Sequence, residues 1–302
     1  VDDASYTLCR SYLEKSSLPP TDAIRVEEFI NHFDYKYQAP SNETFAVYME
    51  GAPSRFGQNS QLLRIGIKGK NIDIETRKPA NIVFVVDVSG SMTEGNRISL
   101  VTETLKHIIN RANYSDQVGI VAYNETAEIV LESTSARYKD KLLAALDRLL
   151  PYGRTNVQAG LQLGYQMASR NFDSKKSNRV LLFSDGVANV GVTDAEDLLN
   201  ETKKYAQKGI TLTSIGVGMG NYNDVLMEKL GDKGNGFYAY IDDMDESHRV
   251  FDGNLAGALQ VIARDVKIQV EFDPEMVQSY RLLGYENRAV ADYNFRNDKV
   301  DG

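Results

Sequence analysis

The sequence predicts an α/β fold: a doubly wound, mostly parallel six-stranded sheet, preceded by short helices and flanked by a discontinuous β-rich module. Three observations predict it. From Asn81 to about Ile262, apolar segments alternate as strand, helix, strand, helix, which argues for a mostly parallel sheet with helices on both faces. Two strands in that stretch, Asn81–Val86 and Arg179–Phe183, are short apolar runs of the kind buried on both faces of a parallel sheet. Outside it, at 43–69 and 265–295, the pattern changes to period two, as expected of half-buried strands.

Residues 1–40 read as a helical segment of two helices separated by Pro19-Pro20. Thr21 or Asp22 caps the second, and Val26, Phe29, Ile30 and Phe33 are spaced for one buried face. Phe45, Val47 and Met49, then Leu63, Ile65 and Ile67, mark two strands joined through 51–60. The α/β domain spans 80–262. Its strands are expected at Asn81–Val86, Val118–Tyr123, Ala127–Leu131, Arg179–Phe183, Thr211–Gly216 and Phe237–Ile241, with the second and third forming a hairpin. Its helices are expected at 96–112, 138–150, 157–169, 194–208, 223–230 and 244–262. Val266, Ile268, Val270 and Phe272 mark a further strand, followed by a candidate at 279–285. A lone hairpin is marginal in water, so 41–79 and 263–302 are expected to pack together as one discontinuous β module.

The composition, 42% hydrophobic and 25% charged, is that of an ordinary globular protein. A formal charge of −8 with no basic patch argues against nucleic-acid partners. One cysteine, Cys9, rules out an internal disulfide. No apolar run approaches the ~20 residues of a membrane span. The chain reads as an excised piece, and any signal or lipoprotein anchor is expected to have been removed with what preceded Val1.

The first core strand ends abruptly in Asp87-Val88-Ser89-Gly90-Ser91. Thr155 lies in the loop before a helix, and Asp185 directly follows a second core strand. Open α/β sheets bind ligands at the carboxyl ends of strands, at a topological switch point. With strand order 3-2-1-4-5-6, the two carboxylates and three hydroxyls converge there. Such hard oxygens suit Mg²⁺ or Mn²⁺, or a looser Ca²⁺. No histidine or cysteine stands near them, which disfavours zinc.

Asp87-x-Ser89-x-Ser91, Thr155-Asn156 and Ser184-Asp185-Gly186 resemble the metal-ion-dependent adhesion site of von Willebrand factor type A domains, which have a Rossmann-like fold. The flanks resemble a bacterial exported subfamily. Ala4-Ser5-Tyr6, Leu18-Pro19-Pro20, Arg25-Val26-Glu27-Glu28 and Asn31-His32-Phe33-Asp34-Tyr35 match its N-terminal segment, and its C-terminal domain of unknown function begins at about 265. The resemblance implies that Ser89, Ser91 and Thr155 supply hydroxyl ligands to a divalent cation, Mg²⁺ first. It implies that Asp87 and Asp185 bind directly or through water, and that one position stays open for a partner's aspartate or glutamate. It also implies adhesion or protein binding without catalysis, in the periplasm or at the cell surface.

Other signals are weaker. Gly216 to Gly220 follows a strand but lacks the G-x-G-x-x-G spacing, and no P-loop is present, so no nucleotide is expected. His32, His107 and His248 lie on expected helices, with none paired to a serine. The acidic run Asp242, Asp243, Asp245 and Glu246 matches no calcium loop and reads as solvated turns. Two alternatives to an exported adhesion module are an intracellular scaffold or co-chaperone working beside an ATPase, and a metal-dependent hydrolase. The hydrolase lacks a general base beyond the ligands themselves.

Overall fold

A computed structural model describes residues 3–57, 59–71, 77–186, 195–218, 224–252, 262–263 and 266–285. The chain divides into two compact units, Val1–His32 with Arg77–Gln260, and Phe33–Thr76 with Val261–Gly302.

Helix α1 is Ala4–Glu14, and α2 is Val26–His32 after a 3₁₀ turn at Thr21–Ala23. The face of α2 differs from the expectation. Val26, Ile30 and Phe33 are exposed, whereas Glu27 and Glu28 are buried. Glu28 Oε2 accepts from both the backbone N–H and the hydroxyl of Ser5, each at 2.8 Å. Its Oε1 accepts from Arg25 at 3.1 Å. The first N–H groups of a helix have no partner within it, and here a carboxylate from α2 satisfies one in α1. That demand outweighs the apolar spacing of a seven-residue helix.

In the second unit, β1 (Phe45–Pro53) and β2 (Gln61–Gly69) form an antiparallel hairpin. Tyr37 stacks on Tyr48 with ring centres 4.7 Å apart. Among the described residues, 266–272, whose alternation predicts a strand, join no ladder, nor do 279–285. Val266, Ile268 and Val270 are exposed. Alternation marks a surface suited to pairing, but a strand exists only where a partner supplies hydrogen bonds.

The larger unit continues with β3 (Ala80–Asp87), α3 (Arg97–Arg111), β4 (Gln117–Tyr123), β5 (Ala127–Ser135) and α4 (Lys139–Leu146). Then come α5 (Val157–Arg170), β6 (Ser177–Ser184), α6 (Ala195–Gln207), β7 (Ile210–Val217), α7 (Asp224–Lys233), β8 (Tyr238–Ile241) and α8 (Met244–Asp252). The last part of the helix expected at 244–262 lies outside the described residues.

The sheet order is β5-β4-β3-β6-β7-β8, which is 3-2-1-4-5-6 counted within the sheet. Only β5 runs antiparallel to its neighbour. All eight residues of β3 and all eight of β7 are buried. Val101, Leu105, Ile108 and Ile109 form the buried face of α3. On the opposite side α5 lies close against the sheet, because a Cβ at Gly160 would collide with the Tyr123 ring. This approach sets the height of the loop before α5 over the strand ends.

Candidate metal centre

Strand β3 has β4 on one side and β6 on the other, so the chain reverses its direction of travel across the sheet at β3. The carboxyl ends of β3 and β6 lie side by side in parallel register, Val86 opposite Phe183. Asp87 is the last residue of β3, and Asp185 follows the last residue of β6. Both are buried, as are Ser89 and Thr155, and Ser91 is half-buried.

Backbone hydrogen bonds tie the two hydroxyl-bearing loops together. Gly90 N–H donates to Gly153 O at 3.0 Å, and Tyr152 N–H donates to Val88 O at 2.8 Å. Asn156 N–H donates to Asn124 O at 2.7 Å. The Asn156 side chain accepts from Ala159 N–H at 3.1 Å, capping α5. Thr155 is therefore held by an anchored loop on one side and a helix cap on the other.

Asp87 Oδ1 accepts from Ser89 N–H at 2.8 Å. Its Oδ2 accepts from the Ser184 hydroxyl at 2.9 Å and from the Tyr123 hydroxyl at 3.3 Å. Burial pushes the Asp87 carboxyl up from 3.8 to about 6; hydrogen bonds from Ser89 and Ser184 oppose the rise, and the nearby Asp185 charge adds to it. Burial also pushes the Tyr123 phenol well up, and the Asp87 charge contributes, so Tyr123 stands as a neutral donor.

Asp185 is divided in use. Its Oδ2 accepts from Arg97 Nη1 at 2.9 Å, and the same nitrogen donates to Ser91 O at 3.0 Å. Its Oδ1 is buried with no hydrogen-bond partner. An unpaired buried carboxylate oxygen is costly, and a cation would relieve that cost. The Ser89 and Ser91 hydroxyl oxygens are 3.1 Å apart, close to the roughly 3.0 Å edge of an octahedron with ~2.1 Å Mg–O bonds. Among the described residues no group of three His, Cys, Asp or Glu comes together. The donors at this edge are thus two carboxylates and three hydroxyls, a set that fits a hard divalent cation.

The sequence does not signal which residues support the two carboxylates, although Ser184 belongs to the quoted Ser184-Asp185-Gly186 motif. Ser184 stands beside Asp185 yet turns to Asp87, Tyr123 comes from β4, and Arg97 opens α3. Gly218 makes room for Arg97, since a Cβ there would collide with its side chain. Met219 and Gly220 lie outside the described residues. The acidic run is only half solvated: Asp243 and Asp245 are exposed, whereas Asp242 takes both oxygens to Arg10 at 2.8 and 2.9 Å. Glu246 is buried and binds Arg249 and Thr7. The desolvated partners supply the reason, since buried carboxylates need pairing. His107 and His248 stack on each other at 4.5 Å, and His32 stacks on Tyr6 at 4.1 Å.

Comparison with known proteins matches the von Willebrand factor type A domain family to residues 81–253. A family described as von Willebrand factor matches 1–64, and one described as Uncharacterized protein YfbK, C-terminal, matches 257–302. Uncharacterized protein YfbK of Escherichia coli (strain K12) is 38% identical over all of this chain and 54% of its own length. Uncharacterized protein sll0103 of Synechocystis is 28% identical over 67% of this chain and 46% of its own. The chain thus spans about half the length of these relatives. A solved structure described as von Willebrand factor type A from Catenulispora acidiphila superposes with a TM-score of 0.54 at 17% identity, over 75% of this chain and 51% of that one.

Proposed function

We propose, from the premise that the chain belongs to the von Willebrand factor type A domain family, that it is a metal-dependent binding module for an acidic group on a protein or surface partner. Domains of this family are typically protein-interaction or adhesion modules rather than enzymes. The observation that carries the reading is Asp185 Oδ1, buried without a partner at the strand ends where Asp87 and the Ser89–Ser91 pair also lie.

Ser89, Ser91 and Thr155 would bind the cation through neutral hydroxyls, with Asp87 and Asp185 as the charged donors. Mg²⁺ is the first choice, with Mn²⁺ or Ca²⁺ as substitutes. Bound there, the cation supplies a Lewis-acidic position that a carboxylate from outside can fill. Asp87 is held by Ser89, Ser184 and Tyr123, so its oxygens are oriented before any cation arrives. The reading is binding without bond-breaking, as is typical of domains of this family. Among the described residues no helix is long and apolar enough to cross a membrane. The reading extends to a location outside the cytoplasm, in the periplasm or at the cell surface. The flanking N-terminal segment, shared with a family described as von Willebrand factor, and the single cysteine are in keeping with it.

Thermal melts with Mg²⁺, Mn²⁺, Ca²⁺ and chelator test the site. At a hundredfold excess over its dissociation constant a cation contributes about 2.7 kcal/mol, which raises the melting temperature of a domain of this size by roughly 5–10 °C. Asp87→Ala is expected to abolish the shift. A wild-type melt that no divalent cation moves would remove the reading.

A further inference from the structure

Arg97 brings a full positive charge to the edge of this site. Its Nη1 touches Asp185 Oδ2 at 2.9 Å and Ser91 O at 3.0 Å. The side chains of Arg97 and Asp185 are 11% and 2% exposed, so water screens the pair poorly. Glu94 lies 3.6 Å from Nη2 but is 71% exposed, too solvated to neutralise the guanidinium. The side chain runs past Gly218 at the end of β7, where no larger residue leaves it room.

We propose that Arg97 is a positioning residue that sets the charge of the metal site, weakening its hold on the cation and strengthening the bound cation's attraction for an acidic partner. The proposal rests on the reading of the site as a divalent-cation site. Because Asp185 Oδ2 is committed to Arg97, Oδ1 is the oxygen left for a cation. Asp87 and Asp185 together carry two negative charges once a cation holds both ionised. Without Arg97 they would cancel a divalent ion completely. With Arg97 the cluster has one net negative charge, and the loaded site is left with one net positive charge. Coulomb attraction then draws a carboxylate into the open position, at the expense of repulsion between guanidinium and cation.

The two effects have opposite signs, which a merely structural role would not produce. Arg97→Gln removes the charge and keeps a donor for Asp185; Arg97→Met removes both; Arg97→Lys keeps the charge and loses the planar fork. Mn²⁺ binding is read by titration calorimetry. Acetate binding to the Mn²⁺-loaded protein is read by water proton relaxation. Arg97→Gln is expected to bind Mn²⁺ at least about tenfold tighter and acetate several-fold weaker, and Arg97→Lys to bind Mn²⁺ no tighter than wild type. If the neutral variants bind Mn²⁺ equally or more weakly than wild type, or acetate more tightly, the charge-setting role is wrong while the metal site stands. If both neutral variants fail to fold while Arg97→Lys folds, Arg97 serves the fold and the proposal is overturned. If wild type binds no Mn²⁺, Mg²⁺ or Ca²⁺, the metal reading and this inference fail together.

Discussion

Asp87 shows what burial does to a carboxyl group at a strand end. Its carboxyl is moved from 3.8 to about 6, with burial as the main cause. The folded protein therefore keeps a proton that the unfolded chain has already lost between those two values. The Asp87 contribution to metal-free stability is highest below about pH 4, falls as pH rises through about 6, and is level above that. The whole change is about 3 kcal/mol, of which about 1 kcal/mol lies between pH 5 and pH 7. Asp87→Asn should remove this slope. In urea titrations with chelator, the variant should gain about 1 kcal/mol on wild type between pH 5 and pH 7; an unchanged gap would show that Asp87 is not the titrating group. The five donor residues Asp87, Ser89, Ser91, Thr155 and Asp185 are visible in the sequence because they stand at or shortly after the end of an apolar core strand, or in the loop before a helix. Ser184 and Arg97 act on carboxylates 97 and 88 residues away. No local pattern encodes a contact across such a gap.

At the scale of the element, α2 carries the main lesson. Its apolar spacing predicts a buried stripe, yet Val26 is 49% exposed and Glu28 is 2% exposed. Glu28 gathers the start of α1 and the side chain of Arg25. Glu28→Ala leaves the Ser5 N–H and Arg25 without this acceptor and should cost about 2–3 kcal/mol in urea denaturation. Val26→Ala should stay within about 0.5 kcal/mol of wild type. Equal costs for the two would restore the apolar-face reading. The long helices are easier to read. The apolar residues Val101, Leu105, Ile108 and Ile109 of α3 are all buried, because fifteen residues offer enough turns for periodicity to dominate a single polar contact. Residues 266–272, which pair with no other described segment, depart from their pattern for the converse reason: the alternation is regular, but pairing depends on another segment.

Over the larger unit, α1 braces the far edge of the sheet. Leu8, Ala4 and Thr7 are buried. Arg10 pairs with Asp242 just past β8, Thr7 donates to Glu246, and Arg249 of α8 reaches Asp3 at 2.7 Å. The helix therefore closes over β8, an edge strand that would otherwise offer unpaired backbone. A chain beginning at Pro20 is expected to lose this cover and to show concentration-dependent self-association in light scattering where the full chain does not. A monomeric, equally stable truncated chain would show that α1 is dispensable. The same scale decides the site, since strand order alone brings Asp87 beside Asp185.

The α/β class, the six strands and the kinds of donor atoms available are all legible in the amino-acid order, because hydrophobic period and residue chemistry are local properties. Which atoms of those donors are already engaged follows from the folded chain. It assigned Asp87 to Ser89, Ser184 and Tyr123, gave one oxygen of Asp185 to Arg97, and left the other buried without a partner. It also turned α2 over and drew Asp242 and Glu246 of the acidic run into ion pairs. The physical reason is the same in each case: burial makes an unpaired polar group costly, and the partner that removes the cost comes from wherever the folded chain places one, at a distance along the sequence that no local pattern records.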